Sequence, residues 1–126
     1  MKDVEYTLTL DSAQCHELLK AVELLMRLKI GQYQELIYTL CDIKDTNQME
    51  RWAVVDSMFK RTFEVMNKEK KSTDYKDAEW YRLYNLYQVI RKNIHDAEHP
   101  EGTGLDASEP MQMTKEPLPK MRWTNE

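Results

Sequence analysis

The amino-acid sequence predicts an α+β fold that is mostly helical, with about four helices and a minor sheet made by the N-terminal strand and the extended C-terminal tail. Three observations predict it. Residues 4–10, "VEYTLTL", alternate strictly between apolar and polar. Several later stretches carry apolar residues at helical spacing behind capping residues. From Gly104 onward the helical period disappears, and three of the four prolines lie there. Residues 1–103 are therefore expected to form a helical domain with an N-terminal strand. Residues 104–126 are expected to form an extended tail packed on that domain or on a neighbouring subunit.

The strand places Val4, Tyr6, Leu8 and Leu10 on one face and Glu5, Thr7 and Thr9 on the other. Asp11 with Gln14 three residues later has the form of a helix N-cap and its capping-box partner. The helix behind it, to about Lys29, gathers Cys15, Leu18, Leu19, Val22, Leu25 and Met26 on one stripe, and Gly31 stops it. Tyr33, Leu36, Ile37 and Leu40 predict a short second helix. Asp45 with Gln48 repeats the capping signature before a third helix to about Met66, whose stripe is Met49, Trp52, Ala53, Phe59, Phe63 and Met66. Ser72, Thr73 and Asp74 are N-cap candidates for a fourth helix from about Lys76 to Ala97, striped by Trp80, Leu83, Tyr84, Tyr87, Ile90 and Ile94. Pro100 and Gly102 end it.

The 126 residues form one domain, and the core is thin: Leu, Ile, Val and Phe make up about a fifth of the chain, near the range where disorder sets in for highly charged sequences. The net charge is only −4, and eight Met, seven Tyr and three Trp add apolar area, so the chain is expected to fold. A thin core favours a homo-oligomer, because contact between copies buries surface that a monomer leaves wet. No apolar run reaches the ~18–20 residues of a membrane helix, and the charged N-terminus has no apolar signal core. The mildly acidic balance argues against a coat for a nucleic-acid polymer. Cys15 and Cys41 are expected as reduced, buried thiols in a cytoplasmic protein.

Motifs for catalysis are sparse. There is no G-x-x-x-x-G-K-[ST], G-x-G-x-x-G or G-x-S-x-G, and three glycines leave little material for a phosphate-cradling loop. Cys15 and His16 are neighbours but project about 100° apart on a helix, so adjacency makes no dyad. His95 and His99 would share a helical face, yet Pro100 pushes His99 out of helical geometry and no third metal ligand is spaced nearby. No catalytic residue, metal or cofactor is expected. What remains is "WYRLYNLYQVIR", residues 80–91. Core packing explains much of it. On a helix, however, Trp80, Tyr84, Tyr87 and Arg91 also share one broad face, with Gln88 at its flank and Asn93 close by. Such a face can stack on a purine while the guanidinium binds phosphate oxygens in pairs.

"LYNLYQVIRKNI", followed by "HPEGTGLDASEPMQMTKEPLP", resembles the C-terminal half of a group of small phage and prophage proteins. Those proteins join a "YQVIR" helix to an Asn-Pro-Glu-Gly-Gly turn and a Pro-containing tail. "AVELLMRLKIGQYQEL" is similar to their N-terminal pattern, and together the segments span about half of the chain. The group is similar to the Thoeris anti-defence sponges. That resemblance implies a phage-encoded, non-enzymatic protein in the cytoplasm of the infected bacterium. It would sequester a cyclic nucleotide immune signal, a cyclic ADP-ribose isomer and, in some members, cyclic oligonucleotides, and assemble as an oligomer. Carried onto this chain, it matches Arg27, Gly31 and Gln32 in the first motif, and Tyr87, Gln88, Arg91 and Asn93 in or beside the helix motif. Pro100, Glu101 and Gly102 match the turn. With Tyr84 from the aromatic face, the expected ligand-binding set is Arg27, Gln32, Tyr84, Tyr87, Gln88, Arg91 and Asn93. Two positions depart: Thr103 stands at the second turn glycine, and Gln112 where a basic residue is expected, which puts the choice of ligand in doubt. The alternative expectation is a small protein that docks on a host defence enzyme or nuclease and inhibits it, using the tail as an arm.

Overall fold

The structure is a computed structural model, and it describes residues 4–33, 46–66 and 76–125. The described residues contain three α-helices, α1 (Ser12–Lys29), α2 (Thr46–Met66) and α3 (Ala78–Glu98), and a 3-10 turn at Leu105–Ala107. The described residues contain no strand, which corrects the expected α+β class with a minor sheet. The reason lies in residues 4–10. Alternation marks which face a strand would bury, but a strand also needs a neighbour for its backbone hydrogen bonds. Among the described residues none flanks this segment, and Val4, Tyr6 and Leu8 are exposed while Leu10 packs against the core. The expected second helix lies, beyond Tyr33, outside the described residues. So do the Asp45 cap, the Ser72, Thr73 and Asp74 caps, and Cys41.

The ends of α1 are built as its sequence dictates. The Asp11 carboxylate accepts from Gln14 N at 2.8 Å, and the Gln14 side chain accepts from Asp11 N at 3.0 Å, a complete capping box. At the far end Gly31, with φ of 81°, turns the chain into the left-handed region, where a side chain would be strained. Gln32 N then donates to Arg27 O at 2.9 Å and Gly31 N to Leu28 O at 3.1 Å, closing a Schellman motif. α3 starts behind Asp77, whose carboxylate accepts from Trp80 N. It stops at His99, ahead of Pro100.

α1 and α3 lie antiparallel. At one end Lys29 meets Asp77 and Glu79 at 3.3 and 3.2 Å; at the other Ser12 and His16 both reach Glu98 at 2.6 Å. Between them Cys15, Val22 and Ile90 are buried, with Leu10, Leu19, Leu83, Tyr87 and Ile94 packed on them. The Trp80 indole donates to the Met26 carbonyl at 3.1 Å, in the last turn of α1, where helix carbonyls lack helical partners. The seam is narrower than the expected stripe: Leu18 and Leu25 remain exposed. Cys15 is a free, buried thiol, and burial together with Glu98 pushes its pKa up.

The tail runs back along the other side of α3. Lys92 donates to Ala107 O at 3.0 Å, and Arg82 grips Glu116 with both carboxylate oxygens at 3.1 Å. Between these clips Gln88 pairs with the Met111 backbone in both directions, donating to its carbonyl at 3.0 Å and accepting from its N–H at 2.9 Å. An amide side chain thus does for the tail what a neighbouring strand would have done. Gln88 is 4% exposed, whereas Met111 is 66% exposed, so the two bonds are shielded from the helix side only.

Candidate functional site

A cleft of about 470 Å³ opens beside the α1–α3 seam, where α3 ends and the chain turns back. α1 contributes His16, Leu19 and Glu23 to its wall, and α3 contributes Tyr87, Arg91, Ile94 and His95. The turn after α3 supplies His99, Gly102, Thr103 and Asp106. Leu19, Ile94 and Tyr87 make the apolar floor, continuous with the core.

Arg91 is the central cation. Its guanidinium carbon lies 4.9 Å from the centre of the Tyr87 ring, one helical turn earlier, so the aromatic face holds the side chain in place. Its Nε is buried and has no hydrogen-bond partner. The facing carboxylate, Asp106, stands 3.9 Å from that nitrogen and is largely exposed. A guanidinium donor held away from water without an acceptor is unfavourable; with that nitrogen sealed off, an oxyanion entering the cleft would pair with the outer guanidinium nitrogens.

His95 fixes the turn. Its Nε2 lies 2.9 Å from the Gly102 carbonyl and its Nδ1 3.1 Å from the Asp96 carboxylate. A carbonyl only accepts, so Nε2 must carry a proton; the carboxylate asks the same of Nδ1. The charged imidazolium satisfies both. Asp96 first, and the Gly102 carbonyl second, raise the His95 pKa. In return His95, then Lys92, hold the Asp96 carboxyl below its ordinary range. Gly102 suits this contact, because a Cβ there would stand 3.0 Å from His95 Nε2 and 3.1 Å from His99 O and would push the imidazole back by a few tenths of an ångström. At the cleft's other edge Ser12, then His16, lower the pKa of Glu98.

Of the residues expected at a site, Tyr87 and Arg91 come together in the cleft. Arg27 and Gln32 do not line it. Arg27 donates to Gln32 Oε1 at 2.8 Å and to Glu23 at 3.0 Å, and Glu23 lines the cleft. Tyr84 does not line the cleft but stacks on Trp80, centroids 5.2 Å apart and planes within 11°. Gln88 is directed to the tail, where its amide is fully engaged. The Asn93 amide donates to Val89 O at 2.8 Å, back along its own helix. His16, Glu23, His95, Thr103 and Asp106 were not singled out by sequence reasoning as ligand contacts. Glu23 and Arg27, four apart on α1, carried a readable signal. His16 and Glu98 are 82 positions apart, so nothing local announces them. Among the described residues no group of three His, Cys, Asp or Glu side chains could hold a metal ion, and no helix is long and apolar enough to cross a membrane.

The cleft thus offers a guanidinium fixed on an aromatic ring and several imidazoles, balanced by the carboxylates of Glu23 and Asp106. Such a set can stack a ligand ring on the guanidinium plane or an imidazole and pair with an oxyanion. No family model, no curated protein and no solved structure matches the chain.

Proposed function

We propose that the protein binds a small anionic, ring-bearing ligand in this cleft and holds it without turnover, as a phage-encoded sponge for a cyclic nucleotide immune signal. The observation that carries the reading is Arg91: held over the Tyr87 ring, with a buried Nε that lacks an acceptor, and open to a cleft. The resemblance of the "YQVIR" helix to the Thoeris anti-defence sponges supports the choice of ligand class and of the infected bacterial cytoplasm as its place. Retention at nanomolar concentration requires ~12 kcal/mol at the standard state. One stacked ring at ~1–3 kcal/mol and a few charge-assisted hydrogen bonds supply that order when the pocket is preformed.

The test is a thermal-shift panel of cyclic ADP-ribose isomers and cyclic di- and trinucleotides, followed by denaturation and mass spectrometry of the released ligand. At a hundredfold excess over the dissociation constant a true ligand stabilises by ~2.7 kcal/mol, several degrees. Arg91→Ala should keep the helical content and lose the shift. Recovery of altered ligand would make the protein an enzyme, and a flat panel would remove the sponge reading.

A second reading, an inhibitor that docks on a host defence protein, is favoured by one observation. The tail, although clipped to α3, leaves Met111, Met113, Met121 and Trp123 exposed along it. Truncating the tail before Met111 should then abolish partner inhibition while leaving any ligand-induced shift in place.

A further inference from the structure

We propose that α2 is a self-association surface on which a second copy of this chain packs antiparallel. None of its described side chains is buried. One flank faces its own chain: Trp52, Phe59 and Phe63 are half-buried there, and the Phe63 ring stacks on Tyr33 with centroids 5.5 Å apart. The other flank is bare. Val54, Met58 and Val65 fall on one stripe and are 61, 65 and 70% exposed, and Met66 beside them is 70% exposed. Along this flank runs a groove of about 410 Å³ lined by Met58, Arg61, Thr62, Val65 and Met66.

The exposed side chains on this flank are apolar, so a protein partner that covers them removes apolar surface from water.

The charges identify a second copy as that partner. Glu50 and Arg61 lie three helical turns apart on the same rim of the bare stripe, and neither has an ion-pair partner among the described residues. In an antiparallel pair of identical helices, residues on the same rim face each other across the seam. Crossing about a two-fold axis near Val55 and Asp56 sets Glu50 of each copy opposite Arg61 of the other. Val54 then packs against Met58 of the second copy, twice. A parallel pair would turn this rim toward the opposite rim of the second copy, so Glu50 and Arg61 would not meet. The contact is isologous, so it closes at two copies.

Sedimentation of the full chain over a wide concentration range tests this. A reversible species of doubled mass is expected, and Met58→Glu should reduce it to a monomer of unchanged helical content. Glu50→Arg and Arg61→Glu should each weaken the dimer by about tenfold, since each opposes like charges. An equimolar mixture of those two variants should recover wild-type affinity, because every crossing pair is then opposite in sign. That rescue keeps the test decisive if Met58→Glu fails to fold. A monomer at every concentration overturns the proposal and leaves α2 to a different protein. A dimer indifferent to both Met58→Glu and the charge pair also overturns it, placing self-contact elsewhere.

Discussion

α2 and the α1–α3 pair are written in the same pattern of apolar residues at helical spacing, yet the two regions differ in what the pattern meets. Ile90 is 4% exposed because α1 lies opposite it; Val54 is 61% exposed because no described residue covers it. The pair is also tied at both ends, by Lys29 to Asp77 and Glu79, and by Ser12 and His16 to Glu98. Helical periodicity therefore reports which side of an element can be buried. Burial, and the stability that comes with it, depends on what the rest of the chain or another copy brings to that side.

Truncating each region separates them most strongly. Ile90→Ala removes buried methyl groups from a filled seam and should cost ~2–5 kcal/mol of stability in chemical denaturation. Val54→Ala, measured in dilute solution, should fall within about 0.5 kcal/mol of the parent. Comparable losses at the two sites would mean that α2 is as well packed as the pair.

Next in size is the strap on α3. Gln88→Ala gives the Met111 N–H and carbonyl over to water and removes two hydrogen bonds worth ~0.5–1.5 kcal/mol each. The tail should be cut by protease faster, while hydrogen-exchange protection in α1 changes little. Protection lost equally in α1 would tie the strap to the pair's own stability. Asp11→Ala then removes half of the capping box and should cost ~1 kcal/mol, with increased exchange confined to the first turn of α1.

How much of this was legible in the sequence follows from the distance between cause and effect. The capping box at Asp11 and Gln14 and the stop at Gly31 depend on residues a few positions apart, and both are as expected. The stripe of α3 is so in part: Trp80 and Ile90 are buried and Leu83, Tyr87 and Ile94 pack beside the core, but the helix also buries Asn85, Gln88, Val89 and His95. The N-terminal strand failed because Val4, Tyr6 and Leu8 needed a partner that alternation cannot specify. Asp77, the cap of α3, lies three positions beyond Asp74, among several residues of equal capping ability. Of the cleft, the Tyr87–Arg91 step was legible because one helical turn separates the two. The rest was not: His16 meets Glu98 from 82 positions away, and Asp106 reaches Arg91 only because His95 fixes the turn between them. Gln88 misled for a related reason. A glutamine on an aromatic helix suits a ligand contact, and nothing near it in sequence shows that Met111, 23 positions on, takes both ends of its amide.

The smallest effect expected is a pH response confined to the turn beside the cleft, and it sharpens the same contrast between tied and untied elements. The His95 pKa is raised in the folded chain by Asp96 and the Gly102 carbonyl. A raised pKa means that the folded state holds the proton more tightly than the unfolded one. The contribution is therefore complete below the ordinary histidine pKa of ~6.5 and is lost as pH rises through the higher folded value. Deprotonation leaves one ring nitrogen facing an acceptor without a proton, so either Asp96 or Gly102 loses its bond. Glu98 acts at the other edge with the opposite sign: its lowered pKa makes the Ser12 and His16 contacts fail as pH falls through the carboxylate range. Exchange of the amides around Gly102, corrected for intrinsic rates, should accelerate through and above neutral pH, while those in the middle of α2 do not respond. His95→Phe should abolish that dependence, since a phenyl ring has no proton to lose. If the turn instead opens with the same pH profile in that variant, the imidazolium is not what holds it, and Arg91 and Lys92 carry the turn alone through Asp106 and Ala107.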